Sequence, residues 1–245
     1  MTTLEKKMNL DLYKEFSHSR YGKTLEKNTR FDGFRQEDTS RKEWMKLLGR
    51  DVNNLYHLNI TRSLTKWFLA KNDSLNQEND NNNCHIKLNL EQKENLILAA
   101  TIHDWQEAIV GDTPLPLKNQ QTEKFEKQIL LNIIAEFASY LKNPHLYEIL
   151  EKVVENIIFN NDSLEGKIFH LIEVLGYQRI ALISWNKKDS VANPQLKAKL
   201  VKLATEVTKK NYLFLTQQSK IFPSIAYFLS LPKNKKSLSE IRKLL

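Results

Sequence analysis

Residues 96–116 have the sequence LILAATIHDWQEAIVGDTPLP, in which an apolar run passes directly into a cluster of polar side chains. The apolar run predicts a buried helix, and Gly111 with the prolines behind it predicts where that helix ends. On a helix, His103 and Asp104 lie about 100° apart, and Glu107 follows within one further turn. Polar groups at a buried helix end cost free energy unless they are paired. The stretch therefore predicts a divalent metal bound by an imidazole and a carboxylate, with Glu107 beside it to handle a proton.

The composition is typical of a globular, helical protein. Hydrophobic residues make up 41% of the 245 residues, which is enough for one large domain with its own core. Only 6 Gly and 6 Pro are present, which favours long helices over many short strands. We find no alternation of apolar and polar residues long enough to require a sheet. These features predict an all-α fold.

The sequence also bears on the compartment. Cys84 is the one cysteine, so no disulfide can form within the chain, as is typical of a reducing cytosol. The first residues lack the hydrophobic core of a secretory signal. No stretch approaches the roughly 18 apolar residues that span a bilayer. We therefore expect a cytoplasmic protein that does not contact a membrane.

The net charge of +8 is compatible with an anionic substrate, with nucleic acid, or simply with solubility. The basic residues are spread along the sequence, and no single stripe with interleaved aromatics stands out. Solvated faces are therefore the favoured interpretation, and binding of nucleic acid is possible but not favoured. Attraction of a small phosphate ester follows from either interpretation.

Apolar residues recur at helical spacing along most of the chain. Ser163 is expected to cap a further helix that carries His170, and Trp44 is interpreted as a core anchor. The Asn-rich stretch within 71–88 predicts a flexible surface loop. The predicted helices cover 53–70, 90–110, 118–141, 145–160 and 195–218. The predicted organisation is an N-terminal helical extension (1–40), a main domain (41–190) and C-terminal helices packing on that domain (191–245).

The central stretch resembles the signature of HD-domain metal-dependent phosphohydrolases, and more narrowly the bacterial 5'-deoxynucleotidase branch. The pattern of that branch is His-Asp, two residues, Glu, four residues, Asp, and then a proline-rich turn with a Lys. The residues at matching intervals are His103, Asp104, Glu107, Asp112, Pro114, Pro116 and Lys118.

Two flanking segments extend the resemblance, which covers about residues 50 to 177. The family's Arg, two residues, Asn, three residues, His is matched by Arg50, Asn53 and His57. The family's Lys, two residues, Asp, two residues, Glu is matched by KIFHLIE over 167–173, with His170 in place of the Asp. Two neighbours of His57 also depart from the family: Tyr56 replaces an acidic residue and Leu58 replaces a Ser.

The resemblance implies an HD-type helical bundle and a role for each matched residue. It implies one divalent metal ion (Mn, Co, Fe, Zn or Mg) bound by His57, His103, Asp104 and His170. Asp162, two turns before His170, is the fallback fourth ligand. Sites with two metals need further His ligands, and only His145 is available. Glu107 and Asp112 are the implied catalytic acid-base groups, and the implied substrate-binding cations are Arg50 and Lys118.

The function implied is hydrolysis of a nucleoside 5'-monophosphate or a similar small phosphate ester. His170 and Tyr56 leave open a non-catalytic HD module with a regulatory or binding role. The basic charge leaves open a phosphodiesterase acting on larger nucleotides. A homodimer is possible, and the sequence does not identify the base, the sugar or the metal.

Overall fold

The computed structural model describes residues 11–35, 39–49, 52–78, 86–111 and 120–245 of the chain. Within these ranges the fold is all-α, as the composition predicts, and no residue belongs to a strand; Thr29 and Asn53 form an isolated antiparallel bridge. The helices are α1 (Leu12–His18), α2 (Arg20–Leu25), α3 (Arg41–Leu48), α4 (Asn54–Glu78), α5 (Leu90–Ile102), α6 (Glu107–Val110), α7 (Gln120–Tyr140), α8 (Pro144–Val153), α9 (Leu164–Lys187), α10 (Pro194–Gln218), α11 (Pro223–Ser230) and α12 (Pro232–Arg242).

Local sequence signals account for many helix ends. Ser163 accepts a hydrogen bond from the backbone N–H of Gly166 and so caps α9, as predicted. Gly111 ends α6 with a φ of 75°, the positive-φ conformation that a C-terminal glycine adopts readily. Helices α8, α10, α11 and α12 each begin with Pro, whose missing N–H costs nothing in the first turn.

Helix α4 corrects the loop predicted within 71–88. The helix continues to Glu78, eight residues beyond the predicted end. Asn72 and Asn76 are buried one turn apart, so their side chains lie on the face of α4 that packs inward. A polar composition indicated a loop, but these side chains are part of the packed interior. Residues 79–85 lie outside the described ranges.

The chain forms two compact units that are each discontinuous in sequence. The first comprises Met1–Arg30, Asn53–Thr65 and Asn89–His170; the second comprises Phe31–Val52, Lys66–Leu88 and Leu171–Leu245. The predicted domain boundaries at residues 40 and 190 stay a prediction. Among the described residues, no helix is long and apolar enough to cross a membrane.

An aromatic cluster forms the centre of the first unit. Phe16 stacks on Trp105 with ring centroids 3.8 Å apart, and Phe137 meets both rings edge-on at 5.9 and 5.1 Å. Phe16 and Trp105 are fully buried. Buried aromatic pairs contribute through both their area and their ring geometry. The cluster therefore fixes α1, α7 and the segment that follows α5 against one another.

The second unit has a separate aliphatic core around Trp44. This side chain is fully buried, as predicted, and it packs with residues of α3, α9 and α10, including Leu48, Ile180 and Leu200. Ser184 Oγ donates to the Leu200 carbonyl at 2.7 Å. Ser184 is fully buried, so this bond replaces the hydrogen bond to water that its hydroxyl loses when α9 and α10 pack together.

Replacement of Phe16 by Ala should destabilise the protein by about 3–5 kcal/mol, since it removes a ring from the centre of a packed core. The measurement is the free energy of unfolding in urea. Phe125→Ala is the matched control, because Phe125 is 61% exposed, and it should change stability by less than about 0.5 kcal/mol. Equal losses in both variants would contradict the placement of the core.

Candidate metal centre

The candidate site forms where the first turns of α4 meet the turn that follows α5, within the first unit. His57 lies on α4, and His103 is the C-terminal cap of α5. The chain was predicted to continue as one helix over 90–110, but it breaks after Ile102. Tighter bonds replace the helical pattern: Trp105 N–H donates to the Ile102 carbonyl, and Glu107 N–H donates to the Asp104 carbonyl. His103 and Asp104 thus project from a turn rather than from a regular helix.

The ring of Trp105 accounts for this break. Its indole N–H donates to the Thr101 carbonyl at 2.9 Å, while its face stacks on Phe16. The indole takes a carbonyl at the end of α5 as its acceptor, and its burial in the aromatic cluster holds the turn in place. Core packing on one side of the turn therefore determines where the neighbouring polar side chains point.

Three donor atoms converge at the site. The Nε2 atoms of His57 and His103 are 3.3 Å apart. Asp104 Oδ2 lies 3.1 Å from His103 Nε2 and 3.5 Å from His57 Nε2. Two ligands of one ion with bonds of about 2.1 Å lie about 3.0–3.4 Å apart in octahedral or tetrahedral geometry. The triangle fits this requirement, so the group of His57, His103 and Asp104 could hold a metal ion.

His103 has a hydrogen bond that sets its tautomer. Its Nδ1 lies 3.2 Å from the Ala100 carbonyl oxygen, which can only accept. The proton of a neutral imidazole is therefore on Nδ1, which leaves the lone pair of Nε2 directed at the site. A histidine that donates its second ring nitrogen to a carbonyl is the usual arrangement around a bound metal. Phe169 covers this ring edge-on, with centroids 5.5 Å apart.

Asp104 carries the negative charge of the site. Burial acts to raise the pKa of its carboxyl. When the His103 ring is protonated at both nitrogens, its charge and its Nε2 hydrogen bond, together with the charges of Arg30 and His57, hold that pKa well below its ordinary value. Arg30 is itself buried, with 5% of its surface exposed. The carboxylate is therefore ionised at neutral pH and is available as a ligand.

Glu107 follows Asp104 by three residues, is outside the three-residue group and is held by two asparagines. Its Oε2 accepts from Asn54 Nδ2 at 2.6 Å, and its backbone carbonyl accepts from Asn28 Nδ2 at 3.1 Å. The side chain is buried. Asn54 precedes His57 by three residues on α4, so the two side chains lie on the same face of that helix. The same two segments thus meet twice, once through the candidate ligands and once through Asn54 and Glu107.

The other predicted site residues are placed as follows. His170 is exposed at the surface of α9 and is outside the three-residue group, while its neighbour Phe169 contacts His103. Asp162 is exposed and also outside the group. The ligand role of His170 stays a prediction. Arg50, Asp112 and Lys118 lie outside the described residues.

Sequence reasoning missed three contributors to the site: Asn28, Arg30 and Asn54. The position of Asn54, one turn before His57, was a usable signal, because residues three apart share a helix face. Asn28 and Arg30 reach the site from a distant segment, and nothing in their local sequence indicates this.

Comparison with models of known protein families, with curated proteins and with solved structures found no match to the chain.

Asp104→Ala should weaken binding of a divalent transition metal by more than the roughly 10- to 100-fold that loss of an outer hydrogen-bond partner causes. The physical reason is the loss of the one carboxylate in the triangle. Binding is measured by calorimetry and by metal content after purification. Glu123→Ala removes an exposed acid from the same unit, at a position with no proposed ligand role, and is the control. Full metal occupancy in Asp104→Ala would show that the site lies elsewhere.

A pair of variants tests His170. If its imidazole is a fourth ligand, His170→Ala should weaken metal binding, whereas His170→Asp should retain it and shift preference toward harder ions such as Mn or Mg. Competition between Zn and Mn measures both effects. Identical binding by the parent and both variants would leave a site with three protein ligands.

Proposed function

We propose that this protein is an HD-type, metal-dependent phosphohydrolase that acts on a nucleoside 5'-monophosphate or a similar small phosphate ester. The observation that carries the proposal is the triangle of His57, His103 and Asp104, with side-chain donor atoms 3.1–3.5 Å apart. These three residues are among the four ligands that the resemblance implies; the fourth, His170, is outside the group. They come from two separate segments of sequence, so their convergence is not a consequence of local spacing.

A bound divalent ion would supply two kinds of chemistry: it lowers the pKa of a bound water and polarises a phosphoryl oxygen. Three protein ligands leave coordination positions for water and substrate, as in catalytic zinc sites. In hydrolysis, a bond forms between the water oxygen and phosphorus, and the bond from phosphorus to the ester oxygen breaks. One proton leaves the water, and one is delivered to the departing alkoxide.

Glu107 is proposed to handle the proton. Asn54, which shares a face of α4 with His57, donates to Glu107 Oε2 at 2.6 Å and limits the rotation of the carboxylate. Asp112, two residues after the end of α6 in the sequence, is the proposed second acid-base group. Arg50 and Lys118 are the proposed phosphate partners, which are suited to this role because a guanidinium or ammonium neutralises phosphate charge.

A metal-binding module without hydrolytic activity is the second candidate. The observation that favours it is the exposed position of His170 outside the three-residue group. A phosphodiesterase acting on larger nucleotides is the third, and substrate choice separates it from the first. The decisive screen measures phosphate release from nucleoside monophosphates and cleavage of short oligonucleotides, each with Mn, Co, Mg or Zn. Asp104→Ala serves as the background, and metal binding without turnover on any substrate would favour the module.

Glu107→Gln should leave metal affinity nearly unchanged and slow phosphate release by roughly a hundredfold or more, the usual effect of losing a general acid-base group. The measurement is kcat under the best metal from the screen. Asn54→Ala keeps the carboxylate but removes its donor, so its kcat should fall by less. Unchanged turnover in Glu107→Gln would move the proton-handling role to Asp112 or to solvent.

A further inference from the structure

The net positive charge of the protein is concentrated in its last quarter. Between Lys187 and Leu245 there are 13 Lys and Arg against 3 Asp and Glu, a net charge of +10. The preceding residues contain 24 basic and 26 acidic side chains, a net charge of −2. The basic residues are therefore less evenly spread than their positions first suggested. The excess positive charge belongs to the part of the chain that forms α10 and α12.

Four of the five lysines of α10 occupy one face; Lys197, the fifth, lies outside it and pairs with Asp189 at 2.8 Å. At 100° per residue, Lys199, Lys202, Lys209 and Lys210 fall within an arc of about 100° and span about 16 Å along the axis. Lys202, Lys209 and Lys210 are exposed. Next to this arc, beginning about 20° beyond Lys210, the helix is apolar and buried, through Leu196, Leu200, Leu203 and Leu215. Glu206 is the acidic residue of this helix, and it pairs loosely with Lys202 at 3.7 Å.

Helix α12 extends the charge beside α10. Its buried side comprises Ser237, Leu238 and Ile241, so Lys235, Lys236 and Arg242 face solvent. Arg242 Nη1 donates to Tyr212 Oη at 3.2 Å, and its guanidinium lies 4.6 Å from the centre of that ring. Tyr212 follows Lys209 by three residues on α10, so the two basic faces adjoin there. Glu240, the acidic residue of α12, accepts a hydrogen bond from the indole N–H of Trp185.

We propose that these adjoining faces, the lysine surface, bind the phosphate backbone of a nucleic acid without reading its sequence. A duplex carries one negative charge per about 1.7 Å of its axis, so a lysine row of about 16 Å meets several phosphates at once. Tyr212 is occupied by Arg242, which favours contact with phosphates over stacking on bases. Insertion into a membrane would need a broad free apolar face; on α10, Leu196, Leu200, Leu203 and Leu215 are buried, and Leu213 is the exposed large apolar side chain.

The test compares two triple variants that remove the same charge. One replaces Lys202, Lys209 and Lys210 by Gln on the lysine surface. The control replaces Lys23, Lys124 and Lys152 by Gln, which are exposed lysines of the first unit. Fluorescence anisotropy follows binding to a labelled DNA duplex and a single-stranded RNA of about 20 nucleotides, between about 50 and 200 mM salt, with EDTA to prevent hydrolysis.

The salt dependence gives the readout. Each lost phosphate contact should reduce the magnitude of the slope of log K against log salt by about 0.7–0.9. The slope should therefore fall in magnitude by roughly 2–3 in the lysine-surface variant and by less than about 1 in the control. Equal losses in the two variants, or no binding by the parent at about 50 mM salt, would overturn the proposal. Vesicles with about one third phosphatidylserine are assayed in parallel. If the parent binds these vesicles and not the nucleic acids, the surface is a membrane contact and the proposal fails.

Discussion

The meeting of α4 with the turn after α5 is the constraint on which the candidate site depends. Two contacts join these segments: His57 with His103 and Asp104, and Asn54 with Glu107. Each places polar groups where water is largely excluded, so each group needs a partner to offset its desolvation. The pairing therefore limits how these segments can pack. An apolar substitution on one side would remove one hydrogen-bond partner from a buried polar group on the other.

The same turn connects the aromatic core of the first unit to the candidate metal ligands. Trp105 lies between His103-Asp104 and Glu107 in sequence, and its ring is buried against Phe16 and Phe137. Because successive residues of a tight turn project in different directions, burying the indole on one side presents the imidazole and the carboxylates on the other. The precision of the ligand triangle thus derives from aromatic packing, whose contacts are short and resist displacement. This explains how a site can be held by a segment that is not a regular helix.

Patterns within one segment predicted much of the fold, and contacts between segments account for what was missed. The all-α class, the end of α6 at Gly111 and the cap at Ser163 follow from composition and local backbone preferences, and the structure confirms them. The convergence of His57 with His103 and Asp104 was expected from the resemblance alone, since 46 residues separate the two histidines. The break at His103 and the burial of Asn72 and Asn76 depend on tertiary packing, which overrides local propensity. Arg30 had no local signal at all.

Arg30 also bears on which ligands suit the site. Its guanidinium is buried, always charged and close enough to lower the pKa of Asp104. A fixed positive charge reduces the attraction of a site for a cation and favours an anion placed beside it, most strongly in a medium of low dielectric. In the proposed phosphohydrolase, Arg30 would therefore act together with a bound metal on an anionic substrate.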